Sequence, residues 1–257
     1  MRVSVVIPAL NEAATVGQVV QRCRASNAVL CGGEVLVIDS DSTDGTATIA
    51  ARAGARVVNW REVSPLEPQE GKGEALWRGV KAARGAHVVF VDADVTSLHP
   101  WWIDALAKPL QNPEVHLVKA RYVRALHGNP TGGGRVTELT AKPLLRRFFP
   151  DLGDISQPLS GEYAIRRDTA LQLPFVAGYG VESGLLIDTY ARYGRTAIAE
   201  VDLGSRVHRN RPMAELGPMA EVVASTIIDR ALALGQADSG LKTVQRPPWC
   251  EIPRAER

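Results

Sequence analysis

The sequence predicts an α/β protein with a mostly parallel central sheet covered by helices on both faces. Three observations predict it. Short β-branched runs recur with a helical pattern after each: "VSVVI" at 3–7, "EVLVID" at 34–39, "ARVVNW" at 55–60 and "HVVFVDAD" at 87–94. The runs are continuously apolar, as strands buried on both faces are, whereas one-sided strands alternate. And 257 residues, 45% hydrophobic and 23% charged, suffice for a full core with ordinary soluble composition.

The elements follow in order. The first strand leads to a helix near 12–25 and the second to one near 43–53. After the third, "GKGEALWRGVKAARG" puts Leu76, Val80 and Ala83 on one stripe at helical spacing. The fourth leads to a helix opening near Pro100, whose fixed φ suits a first turn. Beyond about residue 95 the regular pattern changes. A strand is expected at 115–122, a flexible loop at "GNPTGGG" (128–134), and a helix at "RVTELTAKPLLRRFF" that Pro143 bends or ends partway. "GEYAIRR" reads as a strand, "GVESGLLIDTYARYG" as a helix, "TAIAEVDLG" as a strand, and 214–235 as a closing helix or pair. The last residues, with Pro247, Pro248 and Pro253, read as a tail, and there is no internal repeat.

Composition narrows the functional classes. A net charge of +2 gives no reason to expect a nucleic-acid partner. Cys23, Cys31 and Cys250 are odd in number and lack C-x-x-C spacing, so a reducing cytoplasm fits better than a disulfide framework or zinc site. "MRVSVVIPALNEAATV" reads as a first strand instead of a signal peptide, because Pro8 interrupts the apolar run and Asn11 and Glu12 follow at once. No stretch approaches the ~18 apolar residues of a membrane span. The chain is expected to be soluble.

The polar residues that end the strands carry the chemistry. In open α/β sheets, ligands sit beyond the carboxyl ends of the strands. Here those ends read "PALNE", "DSDSTDGT" and "DAD". A Rossmann dinucleotide site fails for want of G-x-G-x-x-G, and "GKG" (71–73) lacks the rest of a P-loop. In "FVDADV", extended backbone would point Asp92 and Asp94 to one face, where two carboxylates need a cation or donors between them. A divalent cation held there could bridge to a diphosphate and neutralise it as it leaves.

Joined to "VVIPALNE" and "IDSDSTDGT", this D-x-D resembles the donor site of nucleotide-sugar glycosyltransferases of the GT-A fold. The second half narrows the resemblance. "GKGEALWRG", "GGGRVTEL", "PLSGEYA", "PFVAGYGVESGLLIDT" and "HRNRP", in that order, resemble the glucosyl-3-phosphoglycerate synthase family from about residue 2 to 235. "GGGRVTEL" and "GYGVE" are specific to that family; "VVIPALNE" is shared with many glycosyltransferases.

The resemblance implies a GT-A fold with a Rossmann-like nucleotide-sugar-binding half (1–120), an acceptor-binding and catalytic half (121–235) and a C-terminal tail (236–257). It implies that Pro8, Ala9, Leu10, Glu12, Ser40 and Lys72 contact uridine and ribose, that Asp92 and Ala93 face the donor, and that Asp94 binds Mg²⁺ or Mn²⁺ together with His208. Gly134, Arg135, Thr137 and Asn210 match the family's phosphoglycerate site, with Arg206 assisting at the acceptor carboxylate. Glu182 matches a carboxylate near the reacting sugar, acting catalytically with Asp92 and Asp94, while Leu159 and Tyr179 line the pocket. The acceptor set has suitable chemistry: glycine-loop N–H groups, a guanidinium and a hydroxyl all grip phosphate. An arginine starting a helix is disfavoured by the dipole, and an anionic ligand would remove that objection.

Three departures stand out. Ala93 lies where the family usually has serine, Ser160 where glycine is expected, and the chain starts almost at its first strand, without the longer leader of some relatives. The implied activity is retaining transfer of glucose from UDP-glucose to the 2-hydroxyl of 3-phospho-D-glycerate by a cytoplasmic homodimer. The alternatives are a related GT-A enzyme, inverting or using another nucleotide-sugar or small-molecule acceptor, and a nucleotide-sugar-binding protein without turnover. Product anomer analysis separates the first from the implied activity, and donor turnover the second.

Overall fold

A computed structural model describes residues 2–126, 129–132, 134–206 and 213–236. Its strands are β1 (Val3–Ala9), β2 (Glu34–Asp39), β3 (Arg56–Asn59), β4 (His87–Phe90), β5 (Leu117–Leu126), β6 (Asn129–Gly132), β7 (Tyr163–Arg166) and β8 (Ile198–Arg206). Its helices are α1 (Val16–Arg24), α2 (Asn27–Leu30), α3 (Thr46–Arg52), α4 (Trp60–Val63), α5 (Lys72–Ala82), α6 (Pro100–Ala107), α7 (Lys142–Phe148), α8 (Arg167–Ala170), α9 (Val181–Tyr193) and α10 (Met213–Ala233). One sheet runs β3-β2-β1-β4-β7-β5-β6, with β8 also beside β5. The first four strands in that order are mutually parallel; β7 is antiparallel to both neighbours, and β8 is parallel to β5.

The sheet divides two apolar layers, which is why its strands read as unbroken apolar runs. Along β1, Val3, Val5 and Ile7 enter the layer covered by α1, α3 and α6, while Val6 enters the layer covered by α5, α7, α9 and α10. That alternation is the two-residue period of a strand, with both faces buried. Cys23 is buried and Cys31 exposed, both free. Among the described residues, no helix is long and apolar enough to cross a membrane.

Several expectations need correction. The fourth strand ends at Phe90, so Asp92 and Asp94 lie in the loop beyond it. Val91 N–H still reaches the Val6 carbonyl at 3.1 Å, and then the chain leaves the ladder. The shared strand face therefore does not explain how the two carboxylates are presented. Part of the glycine-rich 128–134 segment forms β6, pairing with the end of β5. The closing segment is one helix, α10, with Pro218 inside it. The short helices α2, α4 and α8 had no periodic signal. At Pro143, expected to bend or end the first part of its helix, a π-turn at Thr137–Ala141 gives way to α7, widening the backbone where proline brings no N–H and would crowd the carbonyl four residues back.

The start of α5 is pinned by a close backbone approach. Glu74 N–H donates to the Ala177 carbonyl at 3.1 Å, and a Cβ at Gly73 would lie 1.8 Å from the Val176 carbonyl oxygen. Gly73→Ala must therefore push the 174–180 loop off α5. Overpacking of this kind costs about 1–3 kcal/mol, so thermal unfolding should show a lowered Tm. An unchanged Tm would mean that the loop yields freely.

Candidate functional site

Two of the strand-end loops interlock. Asn11, at φ 56°, takes the left-handed conformation that asparagine tolerates. Its N–H donates to Ser42 Oγ at 2.9 Å, and Thr43 N–H donates back to Asn11 Oδ1 at 2.9 Å. Glu12 N–H donates to Thr46 Oγ1 at 2.8 Å, and Ala13 N–H to Asp44 Oδ2 at 3.1 Å. The asparagine of "ALNE" and the hydroxyls and aspartates of "DSDSTD" thus hold one another, shaping the rim where β1 and β2 end.

A second clamp fixes the neighbouring wall. Asp41 accepts from Asn59 Nδ2 (2.9 Å), Trp60 Nε1 (3.0 Å) and Arg61 Nε (2.8 Å), and these bonds hold its carboxyl down at about 2. Arg78 is fully buried; it pairs with Glu74 and donates to the Trp60, Ser64 and Leu66 carbonyls. Backbone carbonyls absorb most of its donors, which makes a buried guanidinium tolerable.

Between these walls lies a cleft of about 420 Å³. Its lining includes the donor set Pro8, Ala9, Leu10, Glu12, Ser40, Lys72, Asp92, Ala93, Leu159 and Tyr179, along with Asp94 and Glu182. It also includes Gly134, Arg135, Thr137 and Arg206 of the acceptor set. His208 and Asn210 lie outside the described residues. Residues that the sequence did not single out join them: Trp60 and Gly161, and Leu216, Met219 and Val223 from α10.

At the centre is a chain of ion pairs. Lys72 Nζ lies 2.6 Å from Asp92 Oδ1 and 2.7 Å from Glu182 Oε1. Arg206 Nη2 lies 2.9 Å from Asp92 Oδ2 and 2.9 Å from Glu162 Oε1. Glu162, which sequence reasoning missed, also accepts from Tyr122 Oη at 2.9 Å. Gly161 lets Asp92 fit: a Cβ there would lie 2.2 Å from Asp92 Oδ2. A charged residue opening a strand that reads as buried was the available signal, since buried charges must be paired.

Electrostatics follow from this geometry. Burial opposes the charge on Lys72, but the Asp92 and Glu182 carboxylates outweigh it and hold the ammonium well above the ordinary lysine value. Burial, then the neighbouring Asp92 charge, pushes the Asp94 carboxyl up. No described cation lies within ion-pair distance of Asp94, whereas Asp92 has two. Among the described residues of this ion-pair chain and Asp94, four carboxylates (Asp92, Asp94, Glu162, Glu182) face Lys72 and Arg206, an acidic excess that suits a divalent cation. Among the described residues no group of three His, Cys, Asp or Glu gathers to hold a metal alone. Asp94 would therefore be one ligand of a hard oxygen-bound cation, with phosphate oxygens, water and residues outside the described set completing it.

Comparison with known proteins agrees with this chemistry. Residues 4–171 match the model of glycosyl transferase family 2. A glucosyl-3-phosphoglycerate synthase of Mycolicibacterium paratuberculosis is 49% identical over 95% of this chain and 75% of its own length. The Mycobacterium tuberculosis glucosyl-3-phosphoglycerate synthase, solved with Mn²⁺, UDP-glucose and phosphoglyceric acid, superposes with a TM-score of 0.83 at 47% identity, over 95% of this chain and 83% of that one. The same enzyme with Mg²⁺ and UDP gives 0.82 at 46% identity, with the same coverage.

Proposed function

This chain belongs to glycosyl transferase family 2 and, within it, to the glucosyl-3-phosphoglycerate synthases; from that premise we propose that it transfers glucose from UDP-glucose to the 2-hydroxyl of 3-phosphoglycerate, with retention. The observation that carries the reading is the one cleft that gathers the D-x-D carboxylates, Lys72, Glu182 and the Gly134–Arg135–Thr137 segment at a helix start. Donor and acceptor chemistries meet there. The relative solved with UDP-glucose and phosphoglyceric acid together supports the same pairing.

In this reading Pro8, Ala9, Leu10, Glu12 and Ser40 hold the nucleoside, and Trp60 closes that end. Asp94 and His208 would hold a divalent cation, Mg²⁺ or Mn²⁺, which when bound would supply positive charge to the departing diphosphate. Lys72 adds a fixed ammonium beside Asp92, already oriented before the substrate arrives, which is electrostatic preorganisation. Glu182 orients sugar and acceptor hydroxyls. Gly134, Arg135, Thr137 and Asn210 grip the acceptor phosphate, and Arg206 its carboxylate. The bond from C1 to the β-phosphate oxygen breaks as the acceptor oxygen bonds C1 on the same face. The acceptor proton passes to that phosphate oxygen, so no covalent enzyme nucleophile is required. Ala93 is buried and lines the cleft, so where the family resemblance implies a serine hydroxyl this wall carries a methyl group.

Mass spectrometry of products from a matrix of nucleotide-sugars and phosphorylated acceptors tests this, with anomer analysis for retention. A preference for unphosphorylated glycerate would sink the acceptor assignment. Arg135→Ala tests it at one residue: a charge-assisted pair with phosphate contributes about 1.5–3 kcal/mol. The KM for 3-phosphoglycerate should therefore rise roughly 10- to 150-fold, with little change for UDP-glucose. Loss of donor binding instead would make Arg135 a structural residue of the helix start. A cytoplasmic homodimer completes the proposal; free Cys23 and Cys31 suit the compartment and say nothing of the dimer, which sedimentation of the purified chain tests.

A further inference from the structure

We propose that Glu162 is a positioning residue for this transfer, acting through Arg206. The inference rests on the proposed function and adds a residue to it. Glu162 is fully buried immediately ahead of β7, and its two oxygens are both engaged inside the protein, one by Arg206 Nη2 at 2.9 Å and one by Tyr122 Oη at 2.9 Å. With no exposed surface and no place in the cleft lining, it does not meet a substrate directly.

Stability alone does not account for such a residue. A buried ion pair often contributes no more than well-packed apolar side chains would. What distinguishes this pair is where its far end lies. The same Arg206 Nη2 also donates to Asp92 Oδ2 at 2.9 Å, and Arg206 lines the cleft. Its guanidinium lies over the Tyr122 ring, with Cζ 5.7 Å from the centroid. Its Nε is buried without a hydrogen-bond partner among the described residues, a donor left for a ligand oxygen. Three contacts thus fix one guanidinium: the Glu162 charge behind it, the ring beside it and Asp92 ahead.

Without the Glu162 charge, Arg206 would be drawn wholly to Asp92, and Asp92 away from Lys72. Topology explains the assembly. Tyr122 lies on β5 and Arg206 ends β8, whose register pairs Arg124 with Arg206, while Glu162 precedes β7 on the other side of β5.

Glu162→Gln keeps the size and one acceptor but removes the charge; Tyr122→Phe removes only the second hydrogen bond and serves if the first variant folds poorly. For Glu162→Gln, kcat should fall about 10-fold and the KM for 3-phosphoglycerate should rise about 10-fold. The Kd for UDP with Mn²⁺, read by calorimetry, should stay within about 3-fold. Tyr122→Phe should move the same parameters in the same direction by a smaller factor. In an Arg206→Ala background Glu162→Gln should cost nothing further, because its effect passes through the arginine. Kinetic constants within 2-fold of wild type for both single variants would overturn the proposal. So would losses that multiply in the double variant, or UDP binding that weakens as much as turnover. If wild type makes no product from 3-phosphoglycerate, the proposed acceptor fails by itself. The same variant cycle is then read on hydrolysis of UDP-glucose by water, where coupling or its absence still decides the role of Glu162.

Discussion

Asp94→Ala is expected to cut kcat for glucose transfer by about 1000-fold or more while leaving the fold intact. Polarisation of a departing diphosphate by a divalent cation supplies several kcal/mol to the transition state, and ~4 kcal/mol corresponds to roughly three decades of rate. The fold should survive because no described cation pairs with Asp94, and burial together with the Asp92 charge already disfavours its ionised form. Without metal, the Tm of the variant should accordingly equal or exceed that of wild type. Adding Mn²⁺ and UDP should raise the Tm of wild type and not that of Asp94→Ala. Chelator should stop wild-type turnover, and Mg²⁺ or Mn²⁺ should restore it. Full wild-type activity in chelator would remove the metal from the mechanism.

Much of this architecture was legible in the sequence, and the illegible part has a physical cause. Strands buried on both faces announce themselves as apolar runs, and their polar ends mark the loops where ligands collect. Hence "PALNE", "DSDSTDGT" and "DAD" could be placed on one edge from the sequence. The position of Asp92 and Asp94 could not, because whether a strand stops at Phe90 or continues depends on where its neighbours stop pairing. Glu162 was hidden for a related reason. Its partner Arg206 is 44 residues away, and nothing local records that encounter. The cleft wall from α10 was equally silent: Leu216, Met219 and Val223 read as ordinary apolar helix positions, and only the packing of that helix turns them toward the site. Asp41 shows the opposite case. In sequence it is one of three aspartates in "DSDSTD", while in the fold it clamps Trp60 and Arg61 and lies outside the carboxylate cluster.

Lys72→Met is expected to lower kcat/KM for UDP-glucose about 100- to 1000-fold and to destabilise the protein as well. The ammonium sits between two carboxylates at 2.6 and 2.7 Å, with side chains 18% (Lys72), 22% (Asp92) and 6% (Glu182) exposed. Removing one member of a buried pair costs about 3–5 kcal/mol, because it strands the partner charge. Residual solvent access at Lys72 and Asp92 brings the figure toward the lower end. Stranding falls mainly on Glu182, since Asp92 keeps Arg206. Lys72→Met/Glu182→Gln should therefore recover much of the Tm lost in Lys72→Met without recovering activity. Lys72→Arg should not rescue turnover, because a planar fork cannot take the place of a compact ammonium between two converging oxygens. The sign of the pH effect also follows. With its folded value raised above the ordinary lysine figure of 10.5, Lys72 contributes its full stabilisation below that figure and loses it only as pH rises through the raised value. The Tm difference between wild type and Lys72→Met should thus hold steady across neutral pH and shrink only in strong alkali. Wild-type kcat/KM in Lys72→Met, with a lowered Tm, would make the lysine a structural bridge and leave the cation held at Asp94 to neutralise the diphosphate without it.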